Sequence, residues 1–286
     1  MSSTTTPAYL AIGHITRDLL ADGSAMPGGT SLYAARIAQL LGKRAAVYSA
    51  RPDGLAADAL PDDLPVVFDD IGRAPTFENR YTPAGRVQLL HQDATLLHAS
   101  GLPTAWRAAR IVHLAPVLGE VDAALVEQFP DALLGLTPQG LMRAWDIPLP
   151  GRVHYTPWLP APRLLARVNL LVLSIADVAG DEAAPQAFAR HCRTVAVTRG
   201  AGGLTLYHEG EAHTISAYPA TEIDPTGAGD VFAAAMLIML EETGDPFVAA
   251  RFAAFIAARS VEGSGTAGVP SRAAAERGWR TANRNA

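Results

Sequence analysis

The segment Asp224-Pro225-Thr226-Gly227-Ala228-Gly229-Asp230 combines residue types that could handle a transferring anion. Two glycines around one small residue let consecutive backbone N–H groups converge on a point. The apolar run Val231-Phe232-Ala233-Ala234-Ala235-Met236-Leu237 then reads as a helix whose positive dipole end faces that point. Such an anion hole suits the charge on a phosphoryl group in flight, where catalysis is mostly positioning and electrostatic stabilisation. Asp230 falls in the first turn of the helix, so its carboxylate can take the proton of an attacking hydroxyl. A lone helix-start aspartate would only complement the dipole, but the glycines on its N-terminal side favour a catalytic base.

Thinner signals come from Phe77-Glu78-Asn79-Arg80 and from Pro138-Gln139-Gly140-Leu141-Met142-Arg143. Both put polar groups where a strand end would face a cleft. Asn79, Gln139 and Arg143 suit substrate contact and ordinary hydrogen bonding within a loop or lid equally well. His113, inside an apolar run, reads as a satisfied core histidine, and Pro116 and Trp145 read as core or wall residues.

The elements that must position these groups are legible as alternation. Short apolar runs at Tyr9–Ile12, Ala45–Tyr48, Ile111–Leu114, Ala132–Leu136, Leu170–Leu173, Thr194–Val197 and Gly203–Tyr207 read as buried strands. Ser31–Leu41 and Ala183–His191 have helical spacing between them, and Pro225–Leu240 and Pro246–Val261 read as two long apolar helices. Strands alternating with helices predict an α/β fold with a mostly parallel sheet covered on both faces, which binds ligands beyond the carboxyl ends of its strands.

Two segments break the pattern. Asp18–Thr30 is Gly-rich and polar, while Thr76–Leu97 contains two period-two runs, Phe77–Tyr81 and Arg86–Leu90, around the turn-like Thr82-Pro83-Ala84-Gly85. Segments 18–30 and 76–97 are expected to form a small β-stranded lid on a single domain spanning 1–286; an ordinary edge hairpin is the alternative. The stretch after Pro270, rich in Ala, Arg and Asn, is expected to fray.

With 286 residues and a hydrophobic fraction of 49%, the chain can bury a large core. Its net charge of −5 gives no basic field for nucleic acid. The lone Cys192 permits no internal disulfide and reads as a buried apolar thiol. The N-terminus lacks the pattern of a secretory signal, and Val231–Leu240 falls well short of the roughly 20 residues of a membrane span, so a cytoplasmic protein is expected.

DPTGAGDVFAAAML resembles the C-terminal signature of the PfkB, or ribokinase-like, carbohydrate kinases. That resemblance implies a ribokinase-like three-layer sandwich, with Asp230 as general base and the amides of Gly227, Ala228 and Gly229 as the anion hole. Asp224 would lie near a metal or a monovalent cation such as K+. Gly28-Gly29, followed by the helix from Thr30, is similar to the family's substrate-side hinge, and Asp18 matches its acidic residue that holds substrate hydroxyls. Thr198-Arg199-Gly200-Ala201-Gly202-Gly203 resembles its nucleotide loop, which assigns Thr198, Gly200 and Gly203 to ATP; read alone, the segment is also a plausible hairpin turn.

The chain also departs from the family. Tyr33 stands where the N-terminal signature has Asn, so substrate hydroxyls must be held differently. Ser174-Ile175-Ala176-Asp177 replaces the Asn-x-x-Glu element, leaving Ser174 on the nucleotide side and Asp177 to act on Mg²⁺ through water. The expectation is an ATP- and Mg²⁺-dependent kinase for a hydroxyl of a sugar, an inositol-like polyol or a nucleoside, with a lid-to-lid homodimer as a reasonable assembly. The alternatives are a catalytically silent nucleotide-binding module of the same fold and a kinase for the hydroxymethyl group of a vitamin precursor.

Overall fold

The computed structural model describes residues 5–82 and 85–284; Pro83 and Ala84 of the expected turn lie outside them. The strands are β1 (Tyr9–Ile12), β2 (Thr16–Leu19), β3 (Ala25–Gly28), β4 (Ala45–Ala50), β5 (Val66–Asp69), β6 (Thr76–Thr82), β7 (Gly85–Gln92) and β8 (Ile111–Leu114). They continue with β9 (Leu133–Leu136), β10 (Arg143–Trp145), β11 (Gly151–Tyr155), β12 (Leu170–Ser174), β13 (Thr194–Thr198), β14 (Leu204–His208) and β15 (Glu211–Ile215). The helices are α1 (Thr30–Leu40), α2 (Ala123–Val126), α3 (Pro162–Arg167), α4 (Ala183–Ala189), α5 (Ala228–Thr243), α6 (Pro246–Ser260) and α7 (Arg272–Arg284).

Nine strands form the main sheet in the order β15-β14-β13-β12-β9-β8-β1-β4-β5. Pairing is parallel from β5 through β13 and antiparallel only at β13-β14 and β14-β15. The central strands are apolar on both sides because each face is covered. Tyr9 and Ala11 enter the core beneath α1, α5 and α6, whereas Leu10 and Ile12 enter the opposite core with Trp106 and Phe129. This is the three-layer sandwich, and it explains why these strands read as continuous apolar runs.

Helix α5 is apolar around its whole circumference, with every residue from Val231 to Met239 buried, because it lies between the sheet, α1 and α6. Its start is set by Gly227, whose φ of 77° is the left-handed conformation glycine adopts without strain. Pro225 and Thr226 therefore belong to the turn before the helix rather than to the helix itself. Helix α6 begins at Pro246 because Asp245 accepts the Phe247 and Val248 amides at 2.8 and 3.0 Å.

A second sheet has six strands in the order β10-β11-β7-β6-β2-β3. It confirms a β-structure beside the main body but corrects its expected extent. The strands start at Thr16 rather than Asp18 and stop at Gln92, Thr30 already belongs to α1, and the hairpin β10–β11 adds a third segment to the lid. The C-terminal expectation is corrected too. Residues 272–284 form α7, docked by fully buried Ala275 and by Trp279, whose ring meets Phe252 edge-on at 5.4 Å.

Candidate active site

Three cavities adjoin the turn before α5, two of them between the main body and the second sheet and the third within the main body. The first, of about 290 Å³, is lined by Asp18, Gly29, Tyr33, Asn79, Gln88 and the turn Pro225–Asp230 among others. A second, of about 520 Å³, is bounded by Gln139, Arg143, Ser174, Asp177, Thr198 and Asp230, with Val153–Tyr155 of β11 on its outer side. The third, of about 450 Å³, is lined by Gly200, Gly203 and a run of small residues from α6 and the segment after β15. Gly229 borders all three.

Asp230 stands on the wall common to the first two cavities, half-buried and accessible from both. Burial raises its pKa from the usual carboxylate value to about 6, and the charge of Asp177 pushes the same way. A hydrogen bond from Thr30, the first residue of α1, and the Arg143 guanidinium oppose that rise. The group is thus ionised at neutral pH yet basic enough to accept a proton.

Of the three amides expected in the anion hole, Ala228 N–H closes the turn onto Pro225 O at 3.2 Å. The Gly227 and Gly229 amides make no such bond among the described residues and remain open to an anion.

The front of the chain supplies the opposite wall. Asp18 Oδ1 accepts the Thr16 hydroxyl at 2.7 Å. A Cβ on Gly28 would lie 2.3 Å from Asp18 Oδ2, and one on Gly29 would lie 2.4 Å from His14 O. Gly28 is therefore what lets β3 pass so close to Asp18, and Gly29 what lets the chain pass the His14 carbonyl. Tyr33 rests against Gly227, and its hydroxyl pKa is raised by burial, then by Asp18, Asp230 and Asp224. Asn79 and Gln88 face each other across β6 and β7.

Beside the 520 Å³ cavity, Ser174 and Asp177 form a capping box on the short 3-10 turn Ile175–Val178. Ser174 Oγ accepts Ala176 N–H at 3.2 Å, and Asp177 Oδ2 accepts Ser174 N–H at 2.8 Å. Asp177 Oδ1 accepts from Gln139 Nε2 at 2.9 Å, and its carboxylate still borders the cavity. Asp224 stands apart, lining none of these cavities. It accepts the amides of Thr226 at 2.9 Å and Gly265 at 3.1 Å. Its pKa is held down by the Thr226 side chain and then by those two amides. The two expected metal-side carboxylates thus differ in setting, one on the 520 Å³ cavity and one tying the motif to the loop after α6.

His113 is fully buried, with Nδ1 2.7 Å from the Tyr9 hydroxyl and Nε2 3.2 Å from Thr137 Oγ1. Burial lowers its pKa to about 3, so it is a neutral core residue, as the sequence suggested. Cys192 is buried, and burial raises its thiol to about 11, which makes it inert. Thr30, Gln88, Thr137 and the β11 residues 153–155 also line the site without having been picked out from sequence. Only the adjacency of Thr30 to Gly28-Gly29 could have flagged one of them.

Residues 170–272 match the family model described as pfkB family carbohydrate kinase. The inositol 3-kinase of Oryza sativa subsp. japonica is 43% identical over 77 residues, which is 26% of this chain and 18% of that protein. The match thus spans less than a fifth of that relative. Among solved structures, a pyrophosphate-dependent kinase of the ribokinase family, complexed with a pyrophosphate analog and myo-inositol, superposes with a TM-score of 0.75 at 22% identity. That alignment covers 94% of this chain and 99% of the other. The Arabidopsis thaliana ribokinase complexed with ribose and ATP gives a TM-score of 0.70 at 19% identity, covering 96% and 99%. The chain has the ribokinase fold, and its residues 170–272, which include Asp230, match the PfkB carbohydrate kinases as the motif resemblance implied.

Proposed function

We propose that this chain is an ATP-dependent kinase that phosphorylates a hydroxyl of a small cyclic polyol, of the inositol or sugar type. The observation that carries the reading is the position of Asp230 on the wall between a small polar cavity and a larger one, beside the open Gly227 and Gly229 amides. The small cavity, with Asp18, Asn79, Gln88 and Tyr33, offers hydroxyl partners in several directions. An acceptor held there presents one hydroxyl to Asp230. Asp230 takes its proton as the oxygen bonds to the γ-phosphorus and the bond from that phosphorus to the ADP oxygen breaks. The two glycine amides take up charge on the phosphoryl oxygens.

The third cavity favours a nucleotide over bare pyrophosphate as donor. Ala217, Pro219, Ala220, Ala254 and Ala257 leave room for an apolar ring system, and Thr198 and Gly229 join that space to the phosphate cavity. Among the described residues no three His, Cys, Asp or Glu side chains gather into a metal cage. Mg²⁺ usually binds through one or two carboxylates together with substrate phosphates, and Asp177 is the residue that fits this role. When bound there, Mg²⁺ would neutralise phosphate charge. A monovalent cation near Asp224 and a homodimer through the lid, on which Met26 is 42% exposed, belong to the same proposal.

The purified protein is to be tested with ATP and with pyrophosphate against myo-inositol, sugars and nucleosides, alongside Asp230→Asn. Phosphorylation of a polyol or sugar by ATP, lost in Asp230→Asn, is expected. Equal rates for both proteins, or none for either, would favour a silent nucleotide-binding module. The β6–β7 pair argues against a hydroxymethyl kinase for vitamin precursors, since the lid expected to be missing there has its strands here.

A further inference from the structure

Six residues line both the acceptor cavity and the phosphate cavity: Thr30, Gln88, Gln139, Arg143, Gly229 and Asp230. Arg143 is the one permanent cation among the residues lining either space. Its Nη1 donates to Val117 O at 3.0 Å and its Nη2 to Gln139 Oε1 at 2.8 Å. The other end of the same amide, Gln139 Nε2, donates to Asp177 Oδ1 at 2.9 Å. A guanidinium can only donate and a carboxylate can only accept, so this pair of neighbours fixes which end of the amide faces which side.

The consequence is electrostatic. Arg143 and Asp177 carry opposite charges on one wall, and a direct pairing would cancel both and draw the guanidinium away from Asp230. Gln139 is a neutral spacer that satisfies each without letting them meet. Both ends of the strap are anchored in the fold. Val117 N–H is held by both carboxylate oxygens of buried Glu120, each at 2.9 Å, and Asp177 is locked by Ser174 N–H at 2.8 Å.

We infer that Gln139 is a positioning residue, holding Arg143 against the phosphoryl group in flight and Asp177 against the donor phosphates, rather than a contact to the acceptor. This rests on the kinase reading above. It replaces the sequence-based expectation that Gln139 binds substrate, since both of its polar ends are engaged by protein.

The test is a cycle of Gln139→Met, Arg143→Ala and the double variant, with Gln139→Glu as a second probe that keeps an acceptor for Arg143 but sets a like charge against Asp177. Folding is checked by circular dichroism. Loss of an outer partner of this kind typically costs 10- to 100-fold. Gln139→Met should therefore lower kcat by about that factor with the polyol KM within twofold of wild type. The double variant should lose clearly less than the product of the two single losses, because Gln139 acts in part through Arg143. Gln139→Glu should also lose kcat, since it keeps only half of the strap. Multiplicative losses in the double variant, or a tenfold rise in polyol KM at unchanged kcat, would overturn the inference while leaving an active kinase. A wild-type protein inactive on every acceptor would instead remove the kinase reading, and the positioning role with it.

Discussion

Gln88 Nε2 donates to Asn79 Oδ1 at 3.1 Å, between residues directly opposed on β7 and β6. The bond fixes the Asn79 amide, whose nitrogen makes no further hydrogen bond among the described residues, on the wall of the 290 Å³ cavity that both residues line. The second sheet thus carries a coupled pair of amides on the wall of that cavity rather than two independent side chains. Gln88→Leu removes the partner of Asn79 while keeping the strand. A net hydrogen bond of about 1 kcal/mol corresponds to a polyol KM raised roughly fivefold to tenfold, with ATP KM unchanged. Product analysis by NMR should also show a broader distribution over ring hydroxyls, because the ring is no longer held in one orientation. Unchanged KM and a single product would mean that the pair only braces the lid.

Asp230 should govern both rate and pH profile. Removing the base with Asp230→Asn is expected to lower kcat about a thousandfold while polyol and nucleotide still bind. With a pKa near 6, the wild-type enzyme should lose rate as pH falls through that value, since protonation removes the base. Below it, kcat/KM should drop about tenfold per pH unit. An acid limb that survives unchanged in the residual activity of Asp230→Asn would assign the titration to another group.

The parts legible in the sequence were those whose physics is local. The central strands showed as apolar runs because both faces are buried, and the Gly-rich turn before Asp230 showed because its conformation and its helix dipole follow from adjacent residues. The hairpin β10–β11 did not, because Arg143–Trp145 and Gly151–Tyr155 are only partly buried and flank Asp146–Pro150 with its two prolines, which reads as loop. Edge strand β15 was hidden for a related reason, its residues being mostly exposed and polar. Helix α7 escaped notice because its polar composition masked the spacing of Ala275, Trp279 and Ala282, which all meet one core. The Gln139–Asp177 bond joins residues 38 apart and leaves no trace in either segment.

Ionised Asp230 should cost stability. Its folded-state pKa of about 6 lies above the ordinary 3.8, so the folded protein binds this proton more tightly than the unfolded chain. The contribution of this group to stability is complete below pH 4 and is lost as pH rises through 6. Asp230→Asn is therefore expected to unfold at higher denaturant concentration than wild type at pH 8, by an amount on the order of 2 kcal/mol once the partial exposure of the group is allowed for. The difference should shrink toward zero at pH 4. A gain that does not depend on pH would show that ionisation is not its source.

Glu120 is the anchor beneath the acceptor wall. Its buried carboxylate accepts the amides of His14 at 2.8 Å, Val117 at 2.9 Å and Leu118 at 2.8 Å, joining the end of β1 to the loop that holds Arg143. Glu120→Ala strands these donors. With about 1–3 kcal/mol for each buried group left unpaired, a loss of at least about 3 kcal/mol in urea unfolding is expected. Because Val117 O also holds Arg143, kcat should fall even at temperatures where the variant stays folded. Full activity in a destabilised Glu120→Ala would separate the anchor from the chemistry.

The donor cavity offers a test that spares the catalytic wall. Ala257, on α6, borders the 450 Å³ space but neither of the cavities that contain Asp230. Ala257→Leu adds three carbons where an adenine ring is expected to sit. Overpacking against a bound ligand of about 1–3 kcal/mol translates into an ATP KM raised about fivefold or more. The polyol KM should stay where it was, because its cavity is untouched. Pyrophosphate, if it serves as a donor at all, needs only the phosphate cavity and should be used no worse by the variant. The ratio of ATP to pyrophosphate activity is thus the sensitive quantity: a fall in Ala257→Leu locates the base of the nucleotide, whereas an unchanged ratio in a folded variant would mean that the donor never enters this space.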